Sequence, residues 1–249
     1  MDLSTAAFLL LAGVGGGLIG STAGLASLIS YPALLAVGLP PVAANVTNTV
    51  ALVSTAVGAA AGSRPELAGQ GRRIAQLSAL TAVGGTVGAV VLLVTPAESF
   101  ELVVPWLIAL GSLLLLFRNR VQRIHRLRHH RRPVLLVSLT LVAVYGGYFG
   151  AAAGVLMLAV LCATTVEPLA VSNAVKNIVL GAANSIAAAT YALFAPVDWP
   201  AALTLAVGAL AGSMLGPAVH RRLPAEPLRV VIALAGLGLA VQLWLSATT

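Results

Sequence analysis

The feature that most constrains this chain is a series of long apolar runs separated by short polar connections. Residues 42–62, 73–94, 101–117, 168–194, 200–219 and 228–246 are each near the length that crosses hydrocarbon as a helix. None shows the alternation of a barrel strand, and in lipid every backbone amide has to be satisfied inside the protein. The fold class that follows is an all-α integral membrane protein. Charged residues make up only 8% of the chain, against about 25% in a soluble domain. The N-terminal MDLSTAAFLLLAGVGGG carries Asp2 where a leader would be basic, so it reads as the first membrane segment rather than a cleaved signal peptide.

Two more runs, 3–37 and 134–163, are too long for one straight crossing; the first would measure roughly 50 Å as a single helix. Each holds a glycine cluster, GVGGGLIGSTAG in one and YGGYFGAAAG in the other, and glycine favours a break. Two short helices meeting around residues 20 to 24 are expected in the first run, and a matching break in the second.

The two halves repeat each other. GLIGSTAG (17–24) aligns with GYFGAAAG (147–154) at an offset of 130. At an offset of 128, NVTNT (45–49) aligns with NAVKN (173–177), Gly84 and Gly88 with Gly212 and Gly216, and PAE (96–98) with PAE (224–226). Agreement at separate places points to duplication. The chain divides into a first transmembrane repeat (1–117), a basic loop (118–133) and a second repeat (134–249). Each repeat is about three full helices plus a glycine-broken pair.

Charge orients the repeats. Seven arginines fall within RNRVQRIHRLRHHRRP, residues 118–133, and the connections 63–73 and 220–227 are basic as well. Basic connections mark the cytoplasmic side. Placing all three inside requires each glycine-broken segment to return to its starting side, which makes the repeats inverted with both termini outside. If each broken segment crosses once instead, the repeats are parallel. The net charge of +7 is thus a topology signal, with lipid headgroups as its partner and no nucleic acid implied. Cys162 is alone, so no internal disulfide forms.

Lys176 is the only lysine, and it lies inside VSNAVKNIVLGAANSIAAATYALF, an otherwise apolar stretch. Asn173, Asn177 and Asn184 share its helical face. In the first half, Asn45, Asn48 and Thr49 occupy the equivalent helix, with Thr47, Ser54 and Thr55 nearby. Amides and hydroxyls also join helices through ordinary hydrogen bonds, and a lysine near a helix end can snorkel to the interface. Lys176 is some nine residues into its segment, which strains that alternative. All seven carboxylates fall in connections or at segment ends, and all four histidines in basic connections. A buried lysine without an acid at its depth either loses its proton or takes an anion. The same distribution argues against a sodium, metal or carboxylate-based proton site. No metal, nucleotide or nucleophile motif has its required context, so neither an enzyme nor a cofactor is expected. Trp199 and Tyr191 read as interfacial anchors, Cys162 as core, and Tyr148, inside the glycine break, as a residue facing the site.

The glycine-rich first helix, Pro32 and Leu34 after it, and GLPPVAANVTN opening the next helix resemble the sulfite exporter TauE/SafE family. YGGYFGAAAGVLMLAVL followed by EPLAVSNAVKNIVLGAANSIAA is similar to it more closely, and the likeness runs over nearly the whole chain apart from the central basic loop. One departure is GLASLISYP, with Ala26 and Ser27 where the family commonly has glycine. The resemblance implies a multi-pass permease of the bacterial inner membrane for sulfite, sulfonates or related anions, working as a secondary carrier coupled to protons.

The combined expectation is a small-anion carrier. Lys176, Asn173, Asn177, Asn45, Asn48, Thr49 and Tyr148 surround the substrate, and proton coupling runs through Lys176 or a protonated substrate. The competing expectation is a non-transporting scaffold that docks through the basic loop. Deleting residues 121–131 separates the two: a carrier keeps most of its anion flux in vesicles, whereas a scaffold loses its function.

Overall fold

The computed structural model describes residues 1–117, 132–165, 167–220 and 226–248. The expected basic loop at 118–131, and Arg221 and Arg222, lie outside the described residues. In chain order the helices are α1 (Leu3–Ala23), α2 (Ser27–Ala36), α3 (Pro41–Gly62), the single turn α4 (Arg64–Leu67), α5 (Gly71–Val94) and α6 (Ala97–Leu116). The second half contributes α7 (Arg132–Tyr148), α8 (Ala153–Thr164), α9 (Leu169–Phe194), α10 (Trp199–His220) and α11 (Glu226–Thr248). Among the described residues, six helices are long and apolar enough to cross a membrane: α1, α3, α5, α6, α9 and α10.

Each break falls where the backbone needs glycine. Gly24 closes α1 in the left-handed region at φ +79°, and its N–H bonds back to Gly20 O at 2.8 Å. α2 then folds back along α1, so that Gly16 packs on Ser30 and Gly20 on Ala26. Gly150 at φ +78° makes the matching turn after α7, and Ala152 at φ 59° joins it. The first break differs from expectation in one respect. α1 runs on to residue 23 and is 21 residues long, so it is a full helix followed by a 10-residue return, not two short helices. At its other end Asp2 Oδ1 accepts from Thr5 N at 3.0 Å, and Ser4 Oγ donates to Oδ2. The hydrogen bonds from Thr5 and Ser4 hold that carboxyl down at about 2. α7 likewise begins at Arg132, so the last two residues of the expected basic loop are already helical.

The halves interlock. α1 packs along α10 and α5 along α7, each repeat's fourth long element against the other's first. Small residues make this close approach: Gly13 meets the backbone of Leu205 and Gly208, Gly212 that of Val14, Gly84 that of Thr140, and Gly88 that of Val144. By these neighbours Gly84 corresponds to Gly208 and Gly88 to Gly212, one turn away from the sequence pairing. The register also sets direction. α1, α3 and α10 run one way, since Gly13 lies by Gly208, Gly212 by Val14 and Gly58 by Leu210. α5, α7 and α9 run the other way: Thr81 bonds Val179 O at 2.8 Å, Gly85 lies against Ala183, and Gly181 meets Ala56 near the α3–α9 crossing. Equivalent helices therefore have opposite directions. At one end Arg73 of α5 pairs with Glu167, just before α9, at 3.7 Å. At the other, Asp198 N donates to Thr47 Oγ at 3.0 Å.

The two breaks meet each other. A Cβ added to Gly154 would lie 2.5 Å from Gly24 Cα, and one added to Gly24 would lie 2.5 Å from the Gly154 carbonyl carbon. No side chain fits between them. Gly154→Ala should lower stability by about 1–3 kcal/mol through overpacking against backbone. Gly238 of α11 has nothing within 4 Å of an added Cβ, so Gly238→Ala should match or exceed wild type in the same detergent melting experiment.

Candidate functional site

An α-helix leaves its last carbonyls without intrahelical partners, and α1 ends inside the protein. The polar face of α9 meets that end. Asn173 Nδ2 and Asn177 Nδ2 both donate to Ser21 O, at 2.9 and 3.0 Å, and Lys176 Nζ donates to Gly20 O at 3.3 Å. Lys176 is 1% exposed. A cation at a helix C-terminus is favourably placed against the partial negative charge there. The asparagine–lysine motif thus caps the broken helix of the opposite repeat.

The first-half motif does the reciprocal job in part. Asn45, the equivalent of Asn173, donates from Nδ2 to Tyr148 O at 2.9 Å, at the end of α7. Tyr191 OH, from α9, bonds Gly147 O. Beyond Asn45 the symmetry fails. Asn48, the equivalent of Lys176, accepts from Ser30 Oγ and donates to Ser27 Oγ at 3.1 Å, so it ties α3 to α2. Thr49 bonds the Asn45 carbonyl of its own helix at 3.0 Å. Tyr148 packs edge-on against Phe100, ring centres 5.8 Å apart.

Beside the Lys176 cap is a cavity of about 50 Å³. Glycines 20, 24, 150 and 154 of the two breaks form part of its wall, with Gly181 at the α3–α9 crossing. Its polar lining is Ser21, Ser27, Thr55, Lys176, Asn177 and Asn184.

Of the residues expected to surround a substrate, Lys176 and Asn177 line this cavity together, and Asn173 stands beside them on the same carbonyl. Asn45, Asn48, Thr49 and Tyr148 are held elsewhere by the bonds and ring contact just described. Tyr191, expected as an interfacial anchor, is fully buried because its hydroxyl closes the end of α7, whereas Trp199 is 48% exposed at the start of α10. Ser21, Ser27, Thr55 and Asn184 are the lining residues that the expected set lacks. Asn184 could have been included: it lies seven residues beyond Asn177 on the same face. Ser27 supplies a hydroxyl to the wall.

The chain is 27% identical over 210 residues, covering 80% of this chain and 75% of the relative, to a protein of Escherichia coli K12 described as "Probable membrane transporter protein YfcA". The protein of that description in Escherichia coli O157:H7 matches to the same extent. No solved structure matches the chain. A model of the family described as "Sulfite exporter TauE/SafE" matches residues 9–243. With that match over nearly its whole length, and with its apolar helices, the chain belongs to the TauE/SafE family of membrane transporters and is a multi-pass protein of the inner membrane, not an enzyme.

Proposed function

We propose that the protein is a secondary carrier for a small anion of the sulfite or sulfonate type, bound in the cavity between the two glycine breaks. The observation that carries this reading is Lys176, a buried lysine in the wall of a small polar cavity where the two glycine breaks meet. A charge placed inside a membrane helix is costly, and in transporters such residues mark the substrate path. The ammonium supplies attraction, Ser27 and Asn184 supply hydrogen bonds, and glycine walls let a small ligand approach backbone. A volume of about 50 Å³ suits a compact oxyanion better than a long-tailed sulfonate.

The opposite directions of α1 and α7, and the placing of Arg73 and Glu167 at one end, support an inverted pair of repeats. In such a pair the site lies where the repeats meet, and rocking one against the other opens it to alternate sides. Asn45, Asn48, Thr49 and Tyr148 then hold the walls rather than the substrate.

Lys176→Ala should weaken sulfite binding roughly ten- to hundredfold, the value of a hydrogen bond to a charged group, and bring flux near background while the protein stays folded in the membrane. Near-normal flux in that variant sinks the role of Lys176. Asn48→Ala should act chiefly on stability. It should lower the melting temperature by loosening α2 from α3, and weaken anion affinity in titration calorimetry less than Lys176→Ala does, because only the donor that orients Ser27 is lost.

A further inference from the structure

We infer that the cavity selects a small monoanion carrying its own hydrogen-bond donor, such as a protonated oxyanion, over an equally charged anion without one. The inference rests on the anion-carrier reading above and concerns the same cavity. Lys176 is the only ionisable side chain lining it among the described residues. Among the described residues the lining holds no second cation. A dianion there would keep its second charge in a poorly solvated wall, at a cost that nothing in the lining offsets.

The hydrogen atoms of the lining decide the rest. Thr55 donates its hydroxyl hydrogen to Leu52 O at 2.6 Å, and Ser21 donates its own to Leu18 O at 3.1 Å. Asn177 spends one amide hydrogen on Ser21 O. Turning those hydrogens toward a ligand gives up bonds to backbone carbonyls. What Thr55 keeps for the cavity is lone pairs, and Asn177 keeps its Oδ1 oxygen beside one N–H. Ser27 has the complementary arrangement: its oxygen accepts from Asn48 Nδ2 at 3.1 Å, which leaves its own hydrogen to donate. The lining therefore offers Lys176, Ser27 and the amide N–H groups of Asn184 to the negative oxygens of a ligand, and lone pairs of Thr55 and Asn177 to a ligand hydrogen. A fully deprotonated oxyanion sets lone pair against lone pair at Thr55, whereas an O–H or N–H satisfies it. Such a ligand brings its proton across with it, so the cavity needs no protein acid to move one.

Two probes of nearly equal shape test this on the purified full-length protein. Sulfamate and methanesulfonate are both monoanions at neutral pH and differ in carrying N–H or C–H hydrogens. By calorimetry sulfamate should bind about tenfold tighter or more, as one satisfied hydrogen bond beside a charge predicts, and sulfate should be weaker than either. Thr55→Val, which keeps the shape and removes the lone pairs, should narrow the sulfamate preference to within about threefold, chiefly by weakening sulfamate. Methanesulfonate binding as tightly as sulfamate in the wild-type protein overturns the inference and leaves the anion site standing. Binding of neither probe removes the anion site itself, and the inference with it.

Discussion

An α-helix that stops inside a membrane protein leaves carbonyl oxygens that lipid cannot hydrate, and this structure is arranged around satisfying them. α1 ends at Ala23 and α7 at Tyr148, both against protein rather than at a surface. α1 is closed by Asn173, Lys176 and Asn177 of the other half, and α7 by Asn45 of the other half together with Tyr191 of its own. The crossing pair α3 and α9 therefore owes its polar faces to helix capping first. A binding site can be laid over that framework because amides and an ammonium already stand at the gap between the breaks.

The contact between Gly24 and Gly154 gives the capping its geometry. With no side chain between them the two breaks touch backbone to backbone, and the caps then lie within reach of opposite helix ends. The same use of small residues along α1 with α10, and α5 with α7, brings the repeats into van der Waals contact without a hydrophobic driving force. Half the chain alone would have an uncapped helix end and an uncovered glycine face. The other half resolves both, by supplying caps and a facing stripe of small residues.

The halves are related but not equivalent, and the difference falls where function would be expected. Asn48 sits where the second repeat has Lys176, and it is engaged by Ser27 and Ser30 instead of the cavity. One lysine rather than two puts a single positive charge at the meeting of the repeats. That asymmetry gives the cavity its proposed preference for charge, and it follows from two residues on either side of the pseudo-symmetry.

The sequence alone determined the class, most of the helical spans and the positions of the glycine breaks, because apolar length and positive-φ glycine are local properties of the chain. It also showed that Lys176 and its asparagines share one face, since helical periodicity is local too. Only the tertiary structure decided which carbonyls that face meets, which half each motif serves, and that Asn48, Thr49 and Tyr148 turn away from the cavity while Ser27 and Thr55 line it. Those outcomes depend on how α3 crosses α9 and how far α10 slides along α1. That slide is a one-turn shift, permitted by a run of small residues with no side chain large enough to fix the register from sequence.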